Sequence, residues 1–201
     1  MVNDFNILIT GVGGQGVILM SELLGKSAVK AGLKVRGSEI LGMAVRGGSV
    51  TSVIRLGEDA YGPLIPIGRC DVLIGMEPSE ALRNITYLSK SSIVVINIAI
   101  TIPFTVAIGE SKYPSLEEIV DNLREVSADV VKLDAAQLAQ EAGSLLTTNI
   151  VMLGALFGTK KLPINLETIK EAISTYFPAK TAPMNIKAFD LGYQACQKAL
   201  K

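Results

Sequence analysis

Histidine is absent from this sequence of 201 residues, and only two cysteines are present. Without histidine, mechanisms that need an imidazole base and zinc sites of the His/Cys type are excluded. The cysteines, Cys70 and Cys196, are far apart in the sequence, and a single chain cannot supply the four thiolates that an iron–sulfur cluster requires. These absences exclude such metal sites and a histidine base within one chain; we predict no metal ligands and assign no catalytic residue to this chain.

The chain also has no net charge. The 19 basic residues balance the 19 acidic residues, and no basic cluster follows one face, which argues against a nucleic-acid partner. Met1–Asp4 lacks the basic and apolar regions of a signal peptide. The apolar run Ile93–Ile108 contains Pro103, which favours two buried strands over a membrane span. We expect a cytoplasmic protein with no membrane partner.

Apolar residues, in contrast, are abundant. They make up 49% of the sequence, and the mean hydropathy is +0.41. Two explanations remain open: a tightly packed α/β core, or an apolar surface that another subunit covers. The second explanation predicts that the isolated chain self-associates, most simply as a homodimer.

The first 36 residues have the pattern of a strand, a glycine turn, a helix and a second strand. Phe5–Thr10 is β-rich, Gln15–Lys30 has helical spacing, and Leu33–Arg36 is the next strand candidate. This pattern predicts a βαβ unit whose two strands pair in parallel. Further strands are predicted at Val50–Leu56, Asp71–Met76, Ile93–Ile98, Phe104–Ile108 and Ala128–Leu133, and helices at Pro78–Leu88, Leu116–Leu123 and 135–142.

Beyond residue 145 the pattern becomes helical. Predicted helices cover Ile150–Phe157, Leu166–Tyr176 and Met184–Leu200, with Pro183 in the first turn of the last one. Candidate N-caps are Ser115, Asp134, Asn149 and Asn165. We predict one domain over residues 1–201, with an α/β core (1–145) and a helical C-terminal part (146–201). Its fold class is a three-layer α/β/α, Rossmann-like arrangement with a mainly parallel sheet.

The sequence GVGGQG, residues 11–16, fits the G-x-G-x-x-G pattern between a strand and a helix. Such a turn lets a phosphate approach backbone N–H groups at a helix N-terminus. Glu39 follows at a spacing suited to a ribose hydroxyl. The candidate ligand-binding residues are Gly11, Gly13, Gly14, Gln15, Gly16 and Glu39. The alternative is a tight turn that binds no ligand.

A second glycine-rich segment, residues 37–50, exceeds what a simple dinucleotide domain needs. Arg46 could contact a carboxylate or phosphate, and the adjacent glycines permit close approach. The alternative is an internal Arg46–Glu39 pair that braces a turn. The candidate ligand or partner contacts are Met43, Arg46, Gly47, Gly48 and Ser49.

Three further residues have chemical potential. Glu77 follows a predicted strand and precedes Pro78, where it either lines a ligand crevice or is a solvated acid of the first helical turn. We favour the solvated acid. Cys70 and Cys196 are most simply packing residues.

The combination of GVGGQG with SEILGMAVRGGSV (residues 38–50) resembles the gamma domain of 2-oxoacid:ferredoxin oxidoreductases, most closely the beta subunit of the indolepyruvate type. Later segments agree over nearly the whole chain: Met76–Pro78, Asn149 with Leu153–Ala155, and Asn185 with Ala188, Phe189 and Gly192. The sequence departs at Leu41, where relatives often have His, and at Val45, where they often have Gln.

The resemblance implies oxidative decarboxylation of a 2-oxoacid with coenzyme A (CoA) as co-substrate and ferredoxin as electron acceptor. It implies that thiamine diphosphate, Mg and [4Fe-4S] clusters belong to a larger partner subunit, and that the isolated small chain is inactive. Gly13–Gly16 would then contact CoA phosphate, and Arg46 a phosphate or a partner carboxylate. Two alternatives remain: an NAD(P)-dependent dehydrogenase, based on GVGGQG and Glu39, and a non-catalytic scaffold subunit.

Overall fold

A computed structural model describes residues 4–201. Met1–Asn3, part of the segment used to argue against a signal peptide, lies outside the described residues. The strands are β1 (Phe5–Val12), β2 (Val35–Leu41), β3 (Ser49–Leu56), β4 (Val72–Gly75), β5 (Ile93–Asn97) and β6 (Asp129–Leu133). The α-helices are α1 (Val17–Lys30), α2 (Pro78–Arg83), α3 (Phe104–Ala107), α4 (Leu116–Val126), α5 (Ala135–Ala142), α6 (Thr148–Gly158), α7 (Leu166–Tyr176) and α8 (Ala182–Ala199). Short 3₁₀ helices cover Ile85–Tyr87 and Leu145–Thr147.

The strands form a mixed sheet in the order β2-β3-β1-β4-β5-β6. β1, β4, β5 and β6 pair in parallel, whereas β3 is antiparallel to both of its neighbours. The predicted parallel pairing of β1 with β2 was wrong, because β3 lies between them. Burial accounts for this order: β3 is buried from its second residue onward and suits an interior position, while β2 has no buried residue and suits an edge.

Helices cover both faces of the sheet, as the three-layer prediction required. Side chains alternate between two apolar clusters, so that Ile7 and Ile9 face one side and Leu8 faces the other. The first cluster includes buried residues of α1 and of α5 to α8, and the second includes residues of α2 and α4. The C-terminal helices therefore complete one layer over the sheet.

Helices α6 and α8 cross at unusually short range. A Cβ atom built on Gly192 of α8 would lie 1.8 Å from the carbonyl oxygen of Val151 in α6. Only glycine permits this approach, because backbone meets backbone and neither helix has a flexible atom to move. The crossing fixes α6, which reaches the carboxyl edge of the sheet at its N-terminus.

Most local predictions hold. Ser115, Asp134 and Asn165 cap their helices through side-chain oxygens, and Pro183 lies in the first turn of α8. The prediction that Asn149 caps a helix was wrong, since α6 already begins at Thr148.

Phe104–Ile108, predicted as a strand, instead contains the short helix α3. Pro103 is the N-cap residue before this helix, with φ −63°, and the exposed Phe104 side chain has no sheet face to pack on. Across residues 4–201, no helix is long and apolar enough to cross a membrane.

Candidate functional site

The GVGGQG turn joins β1 to α1 at the carboxyl edge of the parallel strands. Gly14 and Gly16 have φ values of +99° and +78°, which side chains other than glycine rarely adopt. Hydrogen bonds within residues 4–201 use the N–H groups of Gly13 and Gln15 but not those of Gly14 and Gly16. The first turn of α1 contains no acidic residue. The turn thus presents unpaired donors and the positive end of a helix dipole, which together favour an anion.

Gln15 braces this turn from inside. Its Oε1 accepts the N–H of Val12 at 2.9 Å, and its Nε2 lies 3.4 Å from Thr101 Oγ1. Because both ends of the side chain are occupied, we assign Gln15 to holding the turn rather than to contacting a ligand directly.

The second glycine-rich segment is the β2–β3 hairpin, and its loop packs against the turn. Gly13 donates to the carbonyl of Gly48 at 2.8 Å, and Gly47 donates to the carbonyl of Gly13 at 3.1 Å. A Cβ on Gly13 would lie 2.3 Å from the carbonyl oxygen of Val45. Gly47 and Gly48, which were expected to permit close approach, thus lie directly against the backbone of the turn.

The hairpin loop and the turn enclose a cleft of about 450 Å³. Its walls are glycines and apolar side chains, among them Ile18, Leu41 and Val45. No charged side chain of the described residues lines it. Leu41 and Val45, the positions where relatives often carry polar residues, therefore make this cleft apolar.

The remaining predicted contacts are dispersed around the hairpin. Glu39 lies on β2, accepts from Ser21 at 3.3 Å and faces a separate groove along α1. With β3 interposed, Glu39 is two strand spacings, about 10 Å, from β1. That position argues against the ribose contact on which the dehydrogenase alternative depended.

Met43 and Arg46 project from the loop into solvent, and no ion pair within residues 4–201 joins Arg46 to Glu39. Ser49, although exposed, donates its hydroxyl to the buried Glu80 at 2.5 Å. Arg46 is thus available to a partner or ligand, while Ser49 is already engaged.

A second crevice, of about 300 Å³, lies on the other side of the turn, between the turn and α6. Gly14 and Gly16 form one wall, Asn149 and the exposed Leu145 and Leu146 form the opposite wall, and Met76 lies among the lining residues. Sequence reasoning missed this crevice because it treated Asn149 as a helix cap. The sequence did contain a clue. Thr147, Thr148 and Asn149 are all residue types favoured at an N-cap, and since only one residue can occupy that position, Asn149 could instead lie inside the helix.

Glu77 is not the solvated acid that we favoured: it is completely buried. Its carboxylate accepts from Ser79 Oγ at 2.6 Å, from the N–H of Glu80 at 3.1 Å, from the N–H of Thr101 at 3.4 Å and from the Tyr113 hydroxyl. Burial, and after it the hydrogen bond to Glu77, raises the pKa of Tyr113, so its hydroxyl stays protonated as a donor. Glu77 therefore ties the segment 98–114 to the carboxyl edge of the sheet.

Both cysteines are buried, in agreement with packing roles. Burial raises the pKa of Cys196 to about 12 and raises that of Cys70 as well, so neither is a reactive thiolate at neutral pH. They belong to clusters on opposite faces of the sheet and cannot share a metal or an iron–sulfur cluster. Within residues 4–201, no group of three His, Cys, Asp or Glu side chains could hold a metal ion.

Known proteins match this chain in sequence or in fold over nearly its whole length. The indolepyruvate oxidoreductase subunit IorB of Pyrococcus horikoshii is 45% identical over 200 residues, covering 99% of each chain. Pyruvate oxidoreductase subunit PORC of Thermotoga maritima has the same fold, with a TM-score of 0.71 at 24% identity over 96% of this chain and 97% of that one.

A larger protein contains the same fold as one part. The 2-oxoglutarate:ferredoxin oxidoreductase of Magnetococcus marinus, solved with 2-oxoglutarate, coenzyme A and succinyl-CoA, matches 98% of this chain and 32% of its own, with a TM-score of 0.74 and 21% identity. Residues 6–195 match the family described as pyruvate ferredoxin/flavodoxin oxidoreductase. This chain therefore belongs to the pyruvate ferredoxin/flavodoxin oxidoreductase family.

Proposed function

We propose that the complex containing this chain oxidises aryl pyruvates, with CoA as acyl acceptor and ferredoxin as electron acceptor. The chain is a small subunit of a 2-oxoacid:ferredoxin oxidoreductase. The observation that carries the aryl specificity is the full-length identity of 45% to an indolepyruvate oxidoreductase subunit. In the proposed reaction the carboxyl group leaves as CO2, the acyl group passes to the CoA sulfur, and the electrons pass to ferredoxin.

A larger partner subunit accompanies this chain, and we propose that it carries thiamine diphosphate, Mg and the [4Fe-4S] clusters. Thiamine supplies the carbanion chemistry and the clusters carry the electrons. The small chain fits no cluster itself, since its two thiols lie on opposite faces of the sheet. Its part in the proposal is to help position CoA and to complete the assembly.

The glycine turn supports the CoA role. The unpaired N–H groups of Gly14 and Gly16, at the N-terminus of α1, suit a CoA phosphate. Gly11 and Gly13 shape the turn, and Gly47 and Gly48 hold the hairpin loop against it. We place Arg46 and Met43 at the contact with CoA or with the partner subunit.

Three further parts of the proposal concern the chain as a whole. Residues 1–201 act as one domain, with the α/β core of residues 1–145 covered by the helical part 146–201. Exposed apolar side chains at the carboxyl edge, including Met43, Phe104 and Leu146, support self-association of the isolated chain as a homodimer. The location is cytoplasmic, which the small number of cysteines supports.

The test is an assay of the small chain, the large chain and their mixture, with reduction of ferredoxin or a dye as the readout. The mixture should be active only with a 2-oxoacid and CoA, and aryl pyruvates should give the highest kcat/KM. The small chain alone should be colourless and inactive. Full activity of the large chain alone would refute a required small subunit, and nicotinamide-dependent turnover by the small chain would favour a dehydrogenase.

A further inference from the structure

We propose that the crevice between the glycine turn and α6 binds a phosphoryl anion, with the side-chain amide of Asn149 as a donor that fixes its position. This inference rests on the proposed function, because the anion expected in the complex is a phosphate of CoA. It adds a specificity-determining residue, and it assigns the anion to one of the two cavities beside the turn.

The side chain of Asn149 is in an unusual state. The residue is 7% exposed, yet its amide makes no hydrogen bond to any residue within 4–201. Every fully enclosed side-chain nitrogen or oxygen of the described residues has a hydrogen-bond partner. The amide of Asn149 must therefore open into the crevice that the residue lines. A polar group that is largely desolvated and unpaired is costly in the free chain, and a ligand that pairs with it removes that cost.

The other polar side chains that line the crevice are already engaged. Gln15 accepts from Val12 and reaches Thr101, and Thr148 donates to the carbonyl of Leu145 at 2.6 Å. Asn97 accepts from the N–H groups of Ala99 and Ala135 and donates to the carbonyl of Met76. Asn149 is thus the side chain in the crevice that remains free to bind a ligand.

The surroundings select an anion. The crevice lies at the N-termini of α1, of 14 residues, and α6, of 11 residues, and neither helix has an acidic residue in its first turn. No carboxylate of the described residues lines the crevice. Gly14 and Gly16 add N–H groups that have no acceptor within residues 4–201. Aligned donors and two helix dipoles stabilise negative charge, and phosphoryl oxygens accept several such bonds at once.

Gly16 and Asn149 are in direct contact. A Cβ on Gly16 would lie 2.5 Å from Nδ2 of Asn149, so one small anion can reach both the turn and the amide. The cleft on the hairpin side offers no comparable side-chain donor, because its walls are glycines and apolar residues. The apolar Leu145 and Leu146 flank the α6-side crevice and can support the uncharged part of a larger phosphorylated ligand.

The first experiment is a titration of the full chain, labelled with ¹⁵N, with inorganic pyrophosphate, CoA and pantetheine. We expect pyrophosphate and CoA to shift the NMR resonances of the Asn149 side-chain amide and of the backbone amides of Gly14 and Gly16. Neutral pantetheine should leave these resonances unchanged. Tighter binding of CoA than of pyrophosphate identifies CoA as the source of the phosphate, and the reverse order identifies a free anion. The absence of shifts with both anions, or equal shifts with pantetheine, would overturn the inference.

The second experiment compares Asn149→Asp with Gln140→Glu, which adds the same charge at an exposed position of α5. Asn149→Asp should weaken binding of the anion by about tenfold or more, because a donor is replaced by a repelling carboxylate. Gln140→Glu should bind as the original chain does. Asn149→Ser, a smaller change, gives an intermediate affinity if Asp impairs folding. Unchanged affinity in a folded Asn149 variant would refute the assignment.

The reconstituted complex separates failure of this inference from failure of the proposed function. If the original mixture reduces ferredoxin and Asn149→Asp raises the KM for CoA while the KM for the 2-oxoacid stays the same, both stand. If the variant mixture has an unchanged KM for CoA, the Asn149 assignment fails and the function remains. If the original mixture shows no activity that depends on CoA, the proposed function itself fails.

Discussion

The two cavities beside the glycine turn share the turn as a wall and differ in what closes them and in their polar side chains. The hairpin-side cleft, of about 450 Å³, is closed by an exposed loop and lined by apolar side chains such as Leu41 and Val45. The α6-side crevice, of about 300 Å³, is closed by a buried helix and contains an unpaired amide. One turn therefore separates a surface suited to apolar contact from a site suited to negative charge.

The wall behind each cavity differs in rigidity as well. Helix α6 is buried along nearly its whole length and locked to α8 by backbone contact. The hairpin loop is held mainly by hydrogen bonds between Gly13 and the pair Gly47 and Gly48. We expect the α6 side to keep its shape and the hairpin side to adapt when another molecule binds.

The largest loss of stability should come from Gly192→Ala, which disturbs the packing of α8 against α6, the rigid wall. The new methyl group would meet the Val151 carbonyl and push α8 away from α6, costing about 3 kcal/mol of unfolding free energy. Gly25→Ala is the control, because nothing lies within 4 Å of its Cβ and a helical alanine should gain roughly 0.5–1 kcal/mol. Denaturant unfolding measures both, and equal midpoints would contradict the described crossing.

The next effect should come from Gly13→Ala on the hairpin side. Its methyl group would meet the Val45 carbonyl, and the loop can move aside at a cost of about 2 kcal/mol. Gly62→Ala, in an open loop position, should stay within about 0.5 kcal/mol of the original chain. If Gly13→Ala destabilises the chain more than Gly192→Ala, the hairpin is the more rigid wall.

Gly14→Ala and Gly16→Ala form a matched pair within the shared wall. Each forces alanine into positive φ, at a cost of about 1–2 kcal/mol. Only Gly16→Ala also reaches Asn149, whereas nothing lies within 4 Å of a Cβ on Gly14. Thermal unfolding should show a larger loss for Gly16→Ala, and identical losses would mean that Asn149 moves aside freely.

The smallest effect on folding should come from Arg46→Ala, which leaves both walls intact. The side chain is exposed, so the unfolding free energy should change by less than about 0.5 kcal/mol. Assembly with the large subunit, or use of CoA, should weaken. Arg36→Ala removes the same charge from the outer strand and should leave both unchanged. A large loss of stability with normal assembly would instead assign Arg46 a role in folding.

The sequence predicted the layers and most element positions, because apolar periodicity directly reflects burial. It could not predict the strand order. Leu33–Arg36 was recognised only as a short strand, while the structure continues β2 to Leu41, into residues that were interpreted as a glycine-rich loop. Which strands lie next to each other in a sheet depends on pairing between residues that are distant in sequence. The periodic pattern of one strand does not indicate which other strand it pairs with.

Predictions for the site divided in the same way. Close approach at Gly47 and Gly48 was predicted, because glycines permit it, but only the structure identifies GVGGQG as the segment that they contact. The burial of Glu77 was not predicted, since its partners Thr101 and Tyr113 follow 24 and 36 residues later. The open amide of Asn149 depends on the packing of α6 against the turn, which no local pattern contains.

The buried carboxylate of Glu77 also has a consequence for hydrogen exchange. The segment between β5 and α4 contains only the short helix α3, and loops of this kind usually exchange their amide protons rapidly. Thr101 donates its amide to Glu77, which also accepts from Tyr113, and should exchange more slowly than the amides of Ile100 and Ile102, which have no acceptor within residues 4–201. A slowly exchanging amide at Thr101, between the faster amides of Ile100 and Ile102, would mark the point at which this loop is anchored to the sheet.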